Sequence, residues 1–163
     1  MFKSEQLRTC IIQPSLTAMG EYSPDIEEML VAICAQESCG GTYLKQMHGT
    51  ALGIYQMEPG THDSIWRHNL TNWEGIQPLC NPIGLKILKA CKYLAMPSAD
   101  TMIYNLWYAT LMARAFWLDV HEPIPHKDDL ASIWLQYKKY WNTPAGEATK
   151  EEFFNNYHRF TSE

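Results

Sequence analysis

SPDIEEMLVAICAQESCGG, residues 23–41, reads as one helix with both of its ends marked. Ser23 suits the N-cap, and Pro24 suits the first helical position, where a missing N–H leaves no bond unmade. Asp25, Glu27 and Glu28 complement the positive end of the helix dipole, and Gly40–Gly41 stops the run. Ile26, Met29, Leu30 and Ile33 share one face, while Val31, Ala32 and Ala35 lie on the far side. The second half of the helix is therefore expected to be surrounded by protein.

Outward from this element the helical period persists, and almost no segment alternates with period two. Helices are expected from near Thr61 (THDSIWRHNL), over roughly 83–95 and 100–119, and from about Asp128 to Tyr140. A last one follows Thr149, where Thr149 and Glu152 form a capping-box pattern. HEPIPHK, residues 121–127, is a loop because its prolines do not suit a helix interior. The Gly-rich stretch within 41–60 reads as irregular or weakly β. The N-terminal segment carries only a short apolar stretch, broken by Gln13 and Pro14, with neither the h-region nor the cleavage site of a signal peptide. The expectation is a mainly all-α chain forming one domain over 1–163.

Composition narrows the partners. The formal net charge is −5 and no Lys/Arg stripe stands out, which argues against nucleic acid. The mean hydropathy of −0.30 and the lack of an apolar run near 18 residues argue against a membrane span. Cys10, Cys34, Cys39, Cys80 and Cys91 form no CxxC pair and read as reduced, mostly buried thiols. The six histidines show no HExxH or paired Cys/His spacing, so neither a metal nor a cofactor is expected. The 6 Trp, 9 Tyr and 5 Phe suit either a Trp-rich core or flat platforms for sugar rings.

Glu37 stands out chemically. It falls in the middle of the apolar stripe and in the last turn of its helix, where the dipole disfavours negative charge. Both effects raise a carboxyl pKa toward neutrality, the condition for protonating a glycosidic oxygen. The plainer alternatives are escape to solvent or a pair with Arg67 or Arg114.

The run from Gln36 to Thr61 resembles the catalytic signature of soluble lytic transglycosylases, shared in part with goose-type lysozymes. Glu37-Ser38 stands for the helix-terminal Glu-Ser, and Gly53-Ile54-Tyr55-Gln56 with Pro59 and Thr61 stands for the Gly-Leu-Met-Gln segment ending in Pro-x-Thr. Tyr140-Trp141-Asn142, ahead of Gly146, occupies the place of the family's Ala-Tyr-Asn-x-Gly block. The resemblance implies a lysozyme-like helical fold, Glu37 as acid and base, Ser38 and Gln56 as polar contacts to sugar, and Asn142 lining the cleft opposite Glu37. Three departures bear on roles. Tyr55 replaces a Met and suits stacking on a sugar ring. Trp141 replaces a Tyr, leaving Tyr140 as a candidate for the missing hydroxyl. Glu58 stands where the family has an apolar or neutral residue and offers a second carboxylate.

The activity so implied is cleavage of the bond between N-acetylmuramic acid and N-acetylglucosamine in peptidoglycan, by a lyase that leaves a 1,6-anhydro end. A hydrolase of the same fold would need a second carboxylate, for which Glu58, Asp63 and Asp128 are candidates. A third reading is a non-catalytic wall-binding or virion protein. Synthesis in the cytoplasm without a signal peptide, with a substrate in the wall, points to a bacteriophage enzyme, either carried with virion proteins or released at lysis.

Overall fold

The computed structural model describes residues 2–72 and 79–162, and they are mainly helical. The N-terminal helix α1 (4–19) is α-helical over Ser4–Gln6, π-wound over Leu7–Ile12 and α-helical again over Gln13–Met19. Next come α2 (Pro24–Ser38), α3 (59–70, π-wound over Trp66–Leu70), α4 (Pro82–Cys91), α5 (Thr101–Tyr104) and α6 (Leu106–Asp119). The last two are α7 (130–141, π-wound over Tyr137–Trp141) and α8 (Lys150–Thr161). Among the described residues the strands are β1 (Thr71–Asn72) and β2 (Leu79–Cys80), antiparallel with Thr71 opposite Cys80.

The quoted stretch forms its helix as read. Ser23 accepts a hydrogen bond from the Ile26 N–H at 3.3 Å, and the left-handed Cys39 (φ 50°) ends the helix one residue before the glycines. Every residue from Ile26 to Ala35 is buried, so α2 runs through the core. It packs against α8, α1 and α6. Glu27 and Glu28 do more than complement a dipole, because both are buried. Arg8 of α1 donates to Glu27 at 3.1 Å and to Glu28 at 2.8 Å, and Tyr157 of α8 donates to Glu28 at 2.6 Å. The terminal helices are thus tied to α2 by buried charge.

Three expectations need correction, and the first 19 residues contain a helix on which the sequence reading was silent. Its buried residues Leu7 and Ile12 are five apart, because the π-wound turn inserts a residue and hides the 3.6 period. The wider turn also relieves the clash that Pro14 would impose on a regular helix. The helix expected over 100–119 is broken at Asn105, whose side chain turns to cap the Tyr108 N–H at 3.0 Å. The helix expected to 95 ends at Cys91, with Lys92 left-handed. Only Cys34 of the five cysteines is fully buried, and Cys10 is exposed.

The segment between α2 and α3 is irregular with single bridges, Lys45 to Leu52 and Leu52 to Met57. Gly53 is required in it, since φ is +73° and a Cβ would sit 2.6 Å from the Met102 carbonyl oxygen. Helix α3 is fixed to α6 through the buried His62. The Tyr108 hydroxyl accepts from the Trp66 indole at 2.8 Å, which leaves its proton for His62 Nε2 at 2.7 Å. His62 Nδ1–H then faces Asp63 at 2.8 Å. Burial lowers the His62 pKa, and Asp63 only partly opposes it.

Candidate active site

Glu37 sits in the last turn of α2, half-buried. Burial raises its pKa from the ordinary 4.5 to about 7, against a smaller opposing pull from Tyr137. The Tyr137 hydroxyl donates to Glu37 Oε1 at 2.7 Å across 100 residues of sequence. Arg114 is engaged elsewhere, donating to Glu21 at 3.1 Å. A carboxyl with one neutral donor, in a largely desolvated place, keeps its proton to near neutral pH and can release it there.

Tyr137 begins the π-wound end of α7, its ring held against Trp134 and Phe153 at 5.8 and 4.9 Å between centroids. The Asn142 side chain lies near the same hydroxyl and partly offsets the rise in the Tyr137 pKa that burial causes. Lys138 fixes Asn142 in turn, donating to its Oδ1 at 2.7 Å and to the Gly146 carbonyl at 2.6 Å. A Cβ on Gly146 would overlap both the Asn142 carbonyl oxygen and its Oδ1, so the tight 142–146 turn needs glycine there.

A cleft of about 160 Å³ is lined by Gln56, Met57, Glu58, Thr61, Phe116, Tyr140, Trp141 and Thr143, the last two flanking Asn142 in the chain; Glu37 itself is not among its lining residues. Thr61 and Phe116 also line a depression of about 390 Å³ with Ser64, His68, Asn69 and Asp119, so the cleft continues as a groove along α3. Gln56 adopts φ +48°, a strained conformation for a residue with a Cβ. Its amide is held by donation to the Gly53 carbonyl at 2.7 Å. Trp141 lies parallel to Trp117 at 6.2 Å and edge-on to Phe116 at 4.8 Å.

The structure brings together Glu37 and Asn142 around Tyr137, and places Gln56, Glu58, Tyr140 and Trp141 along one cleft. It does not bring Ser38 or Tyr55 to it. Ser38 is 0% exposed, and its hydroxyl donates to the Ile54 carbonyl at 2.7 Å and accepts from the Gly41 N–H at 2.9 Å. It therefore ties the end of α2 to the Gln56 turn instead of meeting a ligand. Tyr55 is 1% exposed, with its hydroxyl 3.1 Å from Thr110, and is a core residue with no face for a sugar ring. Tyr140 does not supply the hydroxyl at Glu37, because it donates to Glu122 at 2.6 Å. Of the three candidate second carboxylates, Glu58 is exposed in the cleft and accepts from Thr50. Asp63 faces His62, and Asp128 lies on an exposed loop beside His126 and Lys127.

Sequence reasoning missed Tyr137 and Lys138. The signal for Tyr137 was present: a buried phenol needs a hydrogen-bond partner, and so does a buried carboxyl. Lying one helical turn before Trp141, Tyr137 belongs to the same face as the motif residue. Among the described residues, no group of three or more His, Cys, Asp or Glu side chains is placed to hold a metal ion. No helix there is long and apolar enough to cross a membrane. No family model, no curated protein and no solved structure matches the chain.

Proposed function

We propose that the protein cleaves peptidoglycan glycan strands between N-acetylmuramic acid and N-acetylglucosamine, as a lytic transglycosylase of lysozyme-like fold with Glu37 as acid and then base. The observation that carries the reading is the Glu37 carboxyl, raised to about pKa 7 by burial and hydrogen-bonded by Tyr137. In the first step Glu37 gives its proton to the glycosidic oxygen as the muramic C1–O bond breaks, and the substrate's N-acetyl oxygen supports the cationic centre. In the second, Glu37 removes the proton of the muramic C6 hydroxyl while that oxygen bonds to C1. Atoms balance with no water consumed and no second carboxylate. Gln56, Trp141 and the Asn142 turn are the groups offered to the sugar, and the groove along α3 suits a polymer.

Glu58 supports the second reading, a hydrolase, because it stands exposed in the same cleft. Mass spectrometry of muropeptides after digestion of purified sacculi separates the two. Ends lighter by one water mark the lyase, and reducing ends mark the hydrolase. Glu58→Gln leaves lyase turnover within about tenfold, whereas loss of a general base costs roughly 10²-fold or more. Folded Glu37→Gln that still clears sacculi would defeat both chemistries, whereas a wild-type protein that binds sacculi without cleaving them would leave the wall-binding virion protein. Delivery of the enzyme to the wall by a bacteriophage particle, or its release at lysis, belongs to the same proposal.

A further inference from the structure

From residue 75 to 99 the chain has three lysines and no carboxylate, in a protein whose net charge is −5. The structure collects those charges on one face. Helix α4 buries Gly84, Ile87 and Leu88, so its opposite side carries Leu85 with Lys86, Lys89 and Lys92 around it, all exposed. In the loop that follows, Leu94 is fully exposed and Met96 half-exposed. Lys86 and Lys89 also border a depression of about 490 Å³ between α4 and the end of α1, floored by Met19 and edged by Thr17 and Gly20. Among the described residues Glu21 is the carboxylate paired with this face, 3.9 Å from Lys86, and Arg114 pairs with it at 3.1 Å, so the lysines keep a positive excess there. Asp100, after the loop, is exposed beyond Met96.

We infer that this face docks on an anionic phospholipid surface, with Lys86, Lys89 and Lys92 at the headgroups and Leu85, Leu94 and Met96 entering the acyl boundary. Two arguments select a lipid surface. Screening within about 8 Å at physiological ionic strength makes the local lysines, and not the overall negative charge, decide the attraction. Leu94 is fully exposed in a loop, and an apolar side chain so placed gains nothing from a purely ionic polymer but is covered by a deformable apolar phase. The lysine stems supply apolar length below their charged heads, as interfacial lysines do. The inference is independent of the Glu37 chemistry, since none of these residues lines the cleft.

The test is co-sedimentation of the whole protein with vesicles of phosphatidylglycerol mixed with phosphatidylcholine, against vesicles of phosphatidylcholine alone. Binding is expected on the first and not the second, weakening as salt is raised. Lys86→Gln, Lys89→Gln and Lys92→Gln should each lower the partition roughly fivefold. Leu94→Ser with Met96→Ser should lower it severalfold at unchanged charge, and Glu37→Gln should bind as the wild type does. All of these residues but Glu37 are exposed, and a helical circular dichroism spectrum confirms that each variant is folded. Equal binding to both vesicle types, or lysine variants that bind undiminished, would overturn the inference. Undiminished binding by the Leu94/Met96 variant would overturn it too, and would assign the face to an anionic polymer or an acidic protein. A wild-type protein that binds the vesicles but does not cleave sacculi would refute the Glu37 reading alone.

Discussion

Replacing Glu37 by Gln should make the protein more stable at alkaline pH. Folding raises the carboxyl from its ordinary 4.5 to about 7, so the native state holds a proton that the unfolded chain has released across that interval. Stability then falls as pH rises from about 4.5 through about 7, at up to 1.36 kcal/mol per pH decade, and levels off above. The whole loss is about 3 kcal/mol for this largely desolvated group. Glutamine keeps an oxygen to accept from Tyr137 and has no charge to gain. Near pH 4.5 the two proteins should be nearly equal, and at pH 8 the variant should exceed the wild type by a few kcal/mol. Urea denaturation at a series of pH values measures this as a widening gap in the midpoint. A gap independent of pH, or a variant less stable at pH 8, would refute the assignment of a buried neutral carboxyl.

Tyr137→Phe removes the one hydrogen bond that holds the Glu37 pKa down, so the alkaline limb of the wall-cleavage profile should move to higher pH; a limb that stays in place counts against the contact. Ser38→Ala strands the Ile54 carbonyl and the Gly41 N–H and should cost about 1–3 kcal/mol in denaturant midpoint, with activity falling through displacement of the Gln56 turn. Arg8→Met leaves Glu27 and Glu28 buried without their cation and should cost about 3–5 kcal/mol, read by thermal melting at pH 7.

Legibility followed the regularity of the backbone. The α2 helix was readable because its caps are local side chains and its apolar residues keep one period. The α1 helix was hidden because the π-wound turn shifts that period and Pro14 reads as a break. Glu37 was legible as a charge on an apolar face, yet its partner Tyr137 was not, since an aromatic at helical spacing looks the same whether its hydroxyl is idle or bound. Ser38 and Tyr55 matched a motif by type and position, but burial decides role, and burial depends on packing from distant segments such as Thr110 and Ile54. The buried partners of Glu27 and Glu28 went unread for the same reason, since Arg8 and Tyr157 come from the two ends of the sequence.

The clasping of α2 by the first and last helices has a consequence for the newborn chain. Domains form as units during synthesis, and α2 emerges early, with its apolar circumference complete but half its neighbours still unmade. Tyr137 and Lys138 lie on α7, and the Tyr157 and Asn156 contacts to Glu28 and Gln36 lie on α8, so these partners follow a hundred residues or more later. Until then Glu37 is an ordinary solvated acid. In a ribosome-bound chain or a fragment cut before residue 130, Glu37 would therefore lack both the Tyr137 hydroxyl and the full burial that raises its pKa, which arrive only when the far end of the molecule closes over it.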